Sequence, residues 1–142
     1  MENTSFQQRR KIMSKLKEFM CHTHNDVVDG EPLAIDTYGT SYQGSINCTY
    51  QFLVEYLGEP KPYAYSDGKC DATWELEFGY GEVATIYNWK NGVNYLGKDG
   101  ELTENITDWH IGGYSPNAVR LVQIYLGMSL RTPKRVGGIN EK

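Results

Sequence analysis

The chain has 142 residues, a formal net charge of −4 and 39% hydrophobic residues, enough for one domain with a core of its own. The negative balance excludes a global attraction to nucleic acid or to anionic lipid, and no apolar run approaches the ~20 residues of a membrane-spanning helix. Its three cysteines, Cys21, Cys48 and Cys70, stand at long, unpatterned spacings that suit a reducing compartment better than a disulfide scaffold.

Met1-Glu2-Asn3-Thr4 leads straight into a polar helical pattern, so no export signal is expected and the cytoplasm is the expected location. From about Ser5 to His22, the residues Phe6, Ile12, Met13, Leu16, Phe19 and Met20 recur at steps of three and four, which predicts an amphipathic helix. Asn25-Asp26 and Asp29-Gly30-Glu31-Pro32 break the pattern. Leu33-Ala34-Ile35-Asp36 is then expected as a short strand. A middle helix is predicted from Ser45 or Thr49 to Leu57, capped by Gly58 and stopped by Pro60.

Between Lys69 and Phe78, Cys70, Ala72, Trp74, Leu76 and Phe78 alternate with Asp71, Thr73, Glu75 and Glu77. This period of two predicts a strand with one face inward and an acidic face outward. Gly79-Tyr80-Gly81 turns the chain, and Glu82 to Tyr87 returns as the second strand of an antiparallel hairpin. A further strand is expected over Ile106 to Ile111, ended by Gly112-Gly113. The last helix is expected to open with Ser115 as cap and Pro116 at its first position, and to end at Gly127. The expected fold class is α+β: an antiparallel β-sheet with an N-terminal helix, a middle helix and a C-terminal helix. A single domain is expected over residues 1–127, followed by a flexible basic tail over 128–142 carrying Arg131, Lys134 and Arg135.

The residues assemble no recognisable catalytic site. Cys21-His22-Thr23-His24 has metal-ligand types, but one short run gives at most three ligands in poor geometry, and no metal is expected. His22-Thr23-His24 and His110-Ile111-Gly112 do not form the paired His-x-Thr motifs of a phosphoesterase. There is no Gly-x-Ser-x-Gly elbow and no Gly-Lys-Ser/Thr loop. No catalytic residue and no cofactor are therefore expected.

The segment from Ile86 to Arg120 is more suggestive, because it concentrates Tyr87, Trp89, Lys90, Tyr95, Asn105, Trp109, His110 and Arg120 near loops and element ends. Rings stack on a base, asparagine reads its polar edge, and Arg or Lys grips phosphate. Core packing of Trp74 and Trp109, and a solvated Arg120, are the plainer reading of the same residues.

Gly39-Thr40-Ser41-Tyr42-Gln43-Gly44, Thr49-Tyr50 with Leu57-Gly58-Glu59-Pro60, Asp67-Gly68-Lys69, Val83 to Lys90 and Ile106 to Gly113 follow one another in a particular order and spacing. This string is similar to that of a set of small bacteriophage and prophage proteins, over about residues 35–127. Within that set the chain resembles the first type of Thoeris anti-defence protein, phage sponges that sequester signalling nucleotides. The resemblance implies a non-catalytic homo-oligomer in the cytoplasm of an infected bacterium. It would bind cyclic ADP-ribose isomers between protomers without degrading them, and some members also hold cyclic oligonucleotides at separate sites.

The resemblance further implies a ring and an asparagine from one protomer and an arginine from its neighbour, which fall here on Tyr95, Asn105 and Arg120. Trp109 and Lys90 join them on the strength of their residue types alone. A basic residue implied near positions 35–45 is missing, since that stretch has no Lys or Arg; Arg9, Arg10 or a lysine would have to replace it. Neither a nucleic-acid polymer nor a membrane is expected as a partner. The rival expectation is an inhibitor that binds a host defence protein directly through exposed Tyr and Trp side chains and the acidic strand face.

Overall fold

The computed structural model describes residues 7–10, 20–62 and 68–128. Residues 7–10 are helical; the rest of the predicted N-terminal helix up to position 19, and the basic tail from 129 onward, lie outside the described residues. Strands are β1 (Cys21–Thr23), β2 (Val27–Val28), β3 (Glu31–Pro32), β4 (Ser41–Asn47), β5 (Thr73–Phe78), β6 (Val83–Tyr87) and β7 (Asp108–Gly113). Helices are α1 (Tyr50–Leu57), a single turn α2 (Val93–Leu96) and α3 (Asn117–Tyr125). The fold class is α+β, as expected. Five strands form one sheet in the order β1-β5-β6-β7-β4, and β2 pairs with β3 as a separate ribbon. Every pairing in the five-stranded sheet is antiparallel. No helix among the described residues is long and apolar enough to cross a membrane.

Register decides which residues share a face, because residues paired across an antiparallel ladder project to the same side. Trp74 pairs with Ile86 and Ile86 with Ile111, while Trp109 pairs with Ile46. These residues form one apolar face, and α1 (Leu53, Leu57) and α3 (Ala118, Leu121, Val122) complete the core over it. Both indoles find the partner that a buried N–H requires. Trp74 Nε1 donates to the Gly58 carbonyl (2.8 Å) and Trp109 Nε1 to the Cys48 carbonyl (3.0 Å), so the two rings hold α1 at both ends. The rings meet edge to face at 5.5 Å.

The helix ends follow the local chemistry. Thr49 caps α1, its hydroxyl accepting from the Phe52 amide at 3.0 Å, so the helix begins after Thr49 and not at Ser45. Pro116 stands at the cap position of α3, and the Ser115 hydroxyl just before it accepts from the Asn117 amide at 3.2 Å. At the other end Gly127 takes φ 73°, its amide donates to the Ile124 carbonyl and that of Met128 to Gln123. This double bond across a left-handed residue is the Schellman closure that glycine favours.

Several expectations are corrected. Cys21 and His22 are not the end of a helix but part of β1, paired with Phe78 and Glu77. Leu33 to Asp36 is not a strand; the strand lies later, at β4, an edge strand whose register shifts between Tyr42 and Gly44. That bulge resets the alternation and hides the strand from a period-two search. Gly112 and Gly113 do not end β7 but belong to it. The acidic face of β5 is not solvated: Glu75 is only 6% exposed and meets Lys61 Nζ at 3.3 Å. Further along this second face, Thr37, Thr40 and Ser41 of the segment leading into β4 stand opposite Thr85, Tyr87 and Gly112.

A cleft on the polar face with a cation–aromatic rim

The second face carries Thr73, Glu75, Thr85, Tyr87, His110 and Gly112, which the same register brings to one side. Between this face and the segment leading into β4 lies a cleft of about 190 Å³. The hydroxyl-bearing residues Thr37, Thr40, Ser41 and Thr85 line it, with Cys70, Gly112, Tyr87 and Trp89 completing the wall. Gly112 keeps the floor open, since a Cβ there would come within 2.5 Å of Thr85 Oγ1 and 3.5 Å of the Tyr87 ring. Burial pushes the Tyr87 phenol pKa up, with Cys70 and Tyr42 adding to it, so the group stays a neutral donor.

Rings continue outward from the cleft. Tyr42 lies 4.7 Å from His110, His110 5.6 Å from Tyr87, and Tyr87 6.1 Å from Trp89. Lys69 Nζ and Lys90 Nζ stand 5.7 and 5.5 Å from the centre of the Trp89 ring, and Lys90 Nζ is also 5.4 Å from that of Tyr95. Two ammonium groups and two exposed rings therefore share one rim, each lysine within cation–π range.

This rim is built from beneath. Asn88 is completely buried. Its Oδ1 accepts from the amides of Asp71 (2.7 Å) and Ala72 (3.0 Å), and its Nδ2 donates to Asp71 Oδ1 (2.9 Å) and Asn91 Oδ1 (3.0 Å). Asp71 Oδ2 accepts from the Asn94 amide (2.9 Å) and Asn94 Nδ2 donates to the Cys70 carbonyl (2.8 Å). The backbone amide of Lys90, at φ 62°, donates to the Lys69 carbonyl. The loop before β5 and the loop after β6 are thus tied into one platform for Lys69, Trp89, Lys90 and Tyr95.

The five candidate residues separate. Lys90 and Tyr95 come together on the rim. Trp109 is fully buried between Trp74 and Tyr50; it belongs to the core and offers no face to a surface ligand. Asn105 is exposed in a short turn that packs near α1. Arg120 lies on α3, on the opposite layer, where Nη1 donates to Asn117 Oδ1 (3.0 Å) and the side chain borders a shallow cavity with Gln43, Val119 and Gln123. Trp89 and Lys69, neither of them among the five, complete the rim. Trp89 is legible in the sequence as an aromatic beside Lys90, but the approach of Lys69 depends on the Asn88 network, which sequence does not announce.

The His/Cys run is dispersed by strand alternation, with Cys21 and Thr23 toward the core and His22 on the other face. Burial, then the Asp26 carboxylate, push the Cys21 thiol up to about 12. His24 Nδ1 accepts from the Glu75 amide (3.3 Å) and Nε2 donates to the Glu59 carbonyl (3.1 Å), an assignment that leaves the ring neutral. Burial lowers its pKa accordingly. Among the described residues, no three His, Cys, Asp or Glu side chains converge as a metal site.

No family model and no curated protein matches this chain.

Proposed function

We propose that the protein captures a small, phosphorylated, nucleotide-derived signal and holds it without chemical change, acting as a phage anti-defence sponge in the cytoplasm of the infected host. One observation carries the reading: Lys69, Trp89, Lys90 and Tyr95 meet at the mouth of a hydroxyl-lined cleft. An aromatic face stacks a base and lysines supply point charges for phosphate. Local positive charge of this kind serves an anionic ligand even on a chain of net charge −4. The resemblance to Thoeris anti-defence proteins supports a cyclic ADP-ribose isomer as that ligand, with cyclic oligonucleotides as further guests. In that arrangement a homo-oligomer brings Arg120 of one protomer toward Tyr95 of the next.

The test is to incubate the protein with cyclic ADP-ribose isomers made by a TIR domain, remove free ligand, denature by heat and analyse what is released. Intact ligand in stoichiometric amount is the expected result; a hydrolysed product means an enzyme, and no retention sinks the proposal. A second reading, direct binding to a host defence protein, draws on a different surface. Val93, Leu96 and Leu102 are 42, 44 and 54% exposed, with Asp99, Glu101 and Glu104 near them in sequence, and exposed apolar side chains with acidic neighbours suit an apolar partner with basic edges. Co-purification of a stoichiometric host protein, abolished by Leu102→Glu, is the outcome that favours it.

A further inference from the structure

The cleft and its rim differ in chemistry, and the difference divides a ligand into parts. Among the described residues no charged side chain lines the cleft, whereas the rim carries the two lysine ammonium groups. Thr40 uses its proton on the Thr37 carbonyl (2.8 Å) and keeps its lone pairs, while Ser41 Oγ accepts from Gln43 Nε2 (3.2 Å) and keeps its proton. Neighbouring hydroxyls that offer both acceptor and donor match a polyol, whose own groups play both roles. A phosphate, by contrast, is drawn to cations and backbone amides. At about 190 Å³ the cleft also falls below the roughly 300–1,000 Å³ that enclose a whole drug-sized ligand. It admits one ring of a nucleotide and leaves the remainder outside.

We infer that the cleft is a pentose site, taking the ribose of a ribosylated aromatic ligand over the Gly112 floor, with Trp89 against the base and Lys69 and Lys90 on phosphate. The inference deepens the proposed function and rests on it, because Trp89 belongs to both. It names the part of the ligand that is recognised by hydroxyls and assigns the floor to Gly112 and Thr85, which no rim contact involves. A ligand with the same base and charge but no ribose forgoes the cleft and keeps the rim.

Two probes separate these contributions: adenosine monophosphate, and an acyclic adenine phosphonate in which an open ether chain replaces the ribose. Calorimetry on the full chain is expected to give at least about tenfold tighter binding of the monophosphate. Gly112→Ala, which fills the floor, is expected to remove that preference by weakening the monophosphate alone. Should the glycine substitution disturb folding, Thr85→Val keeps a β-branched side chain in β6 and deletes one hydroxyl. It is expected to weaken the monophosphate several-fold, to leave the phosphonate unchanged and to preserve the melting temperature. Equal affinity for the two probes, equal weakening of both on Thr85→Val, or no binding of the monophosphate at millimolar concentration overturns the pentose site. Retention of cyclic ADP-ribose isomers is scored separately, so that failure of the cleft and failure of the capture reading stay distinguishable.

Discussion

The two faces of the sheet use aromatic residues in opposite ways. On the helix-covered face Trp74 and Trp109 are completely buried, their N–H groups bonded to backbone carbonyls. On the other face Trp89 and Tyr95 are 39 and 47% exposed and lie against lysines. Composition treats all four as the same resource. Burial and partner chemistry separate the pair that holds the fold from the pair left open to a ligand.

The largest effect that sharpens this contrast is on stability. Trp109→Ala is expected to cost ~3–5 kcal/mol, the range for deleting a fully packed aromatic ring, measured as a shift of the urea midpoint. Trp89→Ala is expected to cost clearly less, about 1 kcal/mol, because the ring is 39% exposed and packs on one side only against Tyr87. If the two variants unfold alike, the distinction between core and rim is wrong.

Affinity should show the reverse order. Removing Arg120 tests whether a neighbouring copy completes the site: deleting a charge-assisted hydrogen bond from one protomer to a phosphate held by the next costs ~1.5–3 kcal/mol. Arg120 and the rim lie on opposite layers of one chain, so unchanged affinity in Arg120→Ala assigns capture to a single protomer. Trp89→Ala is expected to weaken capture by ~1–3 kcal/mol, the usual worth of one stacked base. Equilibrium binding of a cyclic ADP-ribose isomer measures both. A Trp89 variant that binds as tightly as the parent removes the rim from the site.

The helix-covered face is the more legible of the two in sequence. Alternation from Ala72 to Phe78, the Thr49 cap and the Ser115-Pro116 and Gly127 boundaries are local signals, and the chain follows each of them to within a residue. The polar face is not, because its burial comes from segments distant in sequence. Glu75 looks like a solvated strand residue until Lys61 and His24 are placed beside it. β4 has Ile46 as its one buried residue and a bulge after Tyr42, which leaves little periodicity to find. Of the candidate ligand residues, Lys90 and Tyr95 meet because they lie five positions apart in the connection between β6 and β7, whereas Asn105, Trp109 and Arg120 are further apart along the chain. Asn88, which sets that loop, has the composition of any turn residue, and only its four hydrogen bonds distinguish it.

The smallest expected effect lies at the border of the polar face, where His24 bonds the Glu75 amide and the Glu59 carbonyl. Burial is the main cause of its lowered pKa, with Lys61 contributing, against the opposing pull of the Glu59 carbonyl. The folded ring therefore resists a proton that the unfolded chain accepts near its ordinary value of 6.5. Where the unfolded state binds more protons, stability rises with pH. The contribution of His24 is thus complete above that value and falls away as pH drops through the lower, folded-state pKa. Urea midpoints between about pH 7.5 and 5.5 are expected to fall on the acid side, above the range where unperturbed carboxylates titrate. His24→Gln, which carries no titrating group, is expected to flatten that slope. An identical slope in the two proteins would mean that the ring is open to water in solution and that this end of the polar face is not closed.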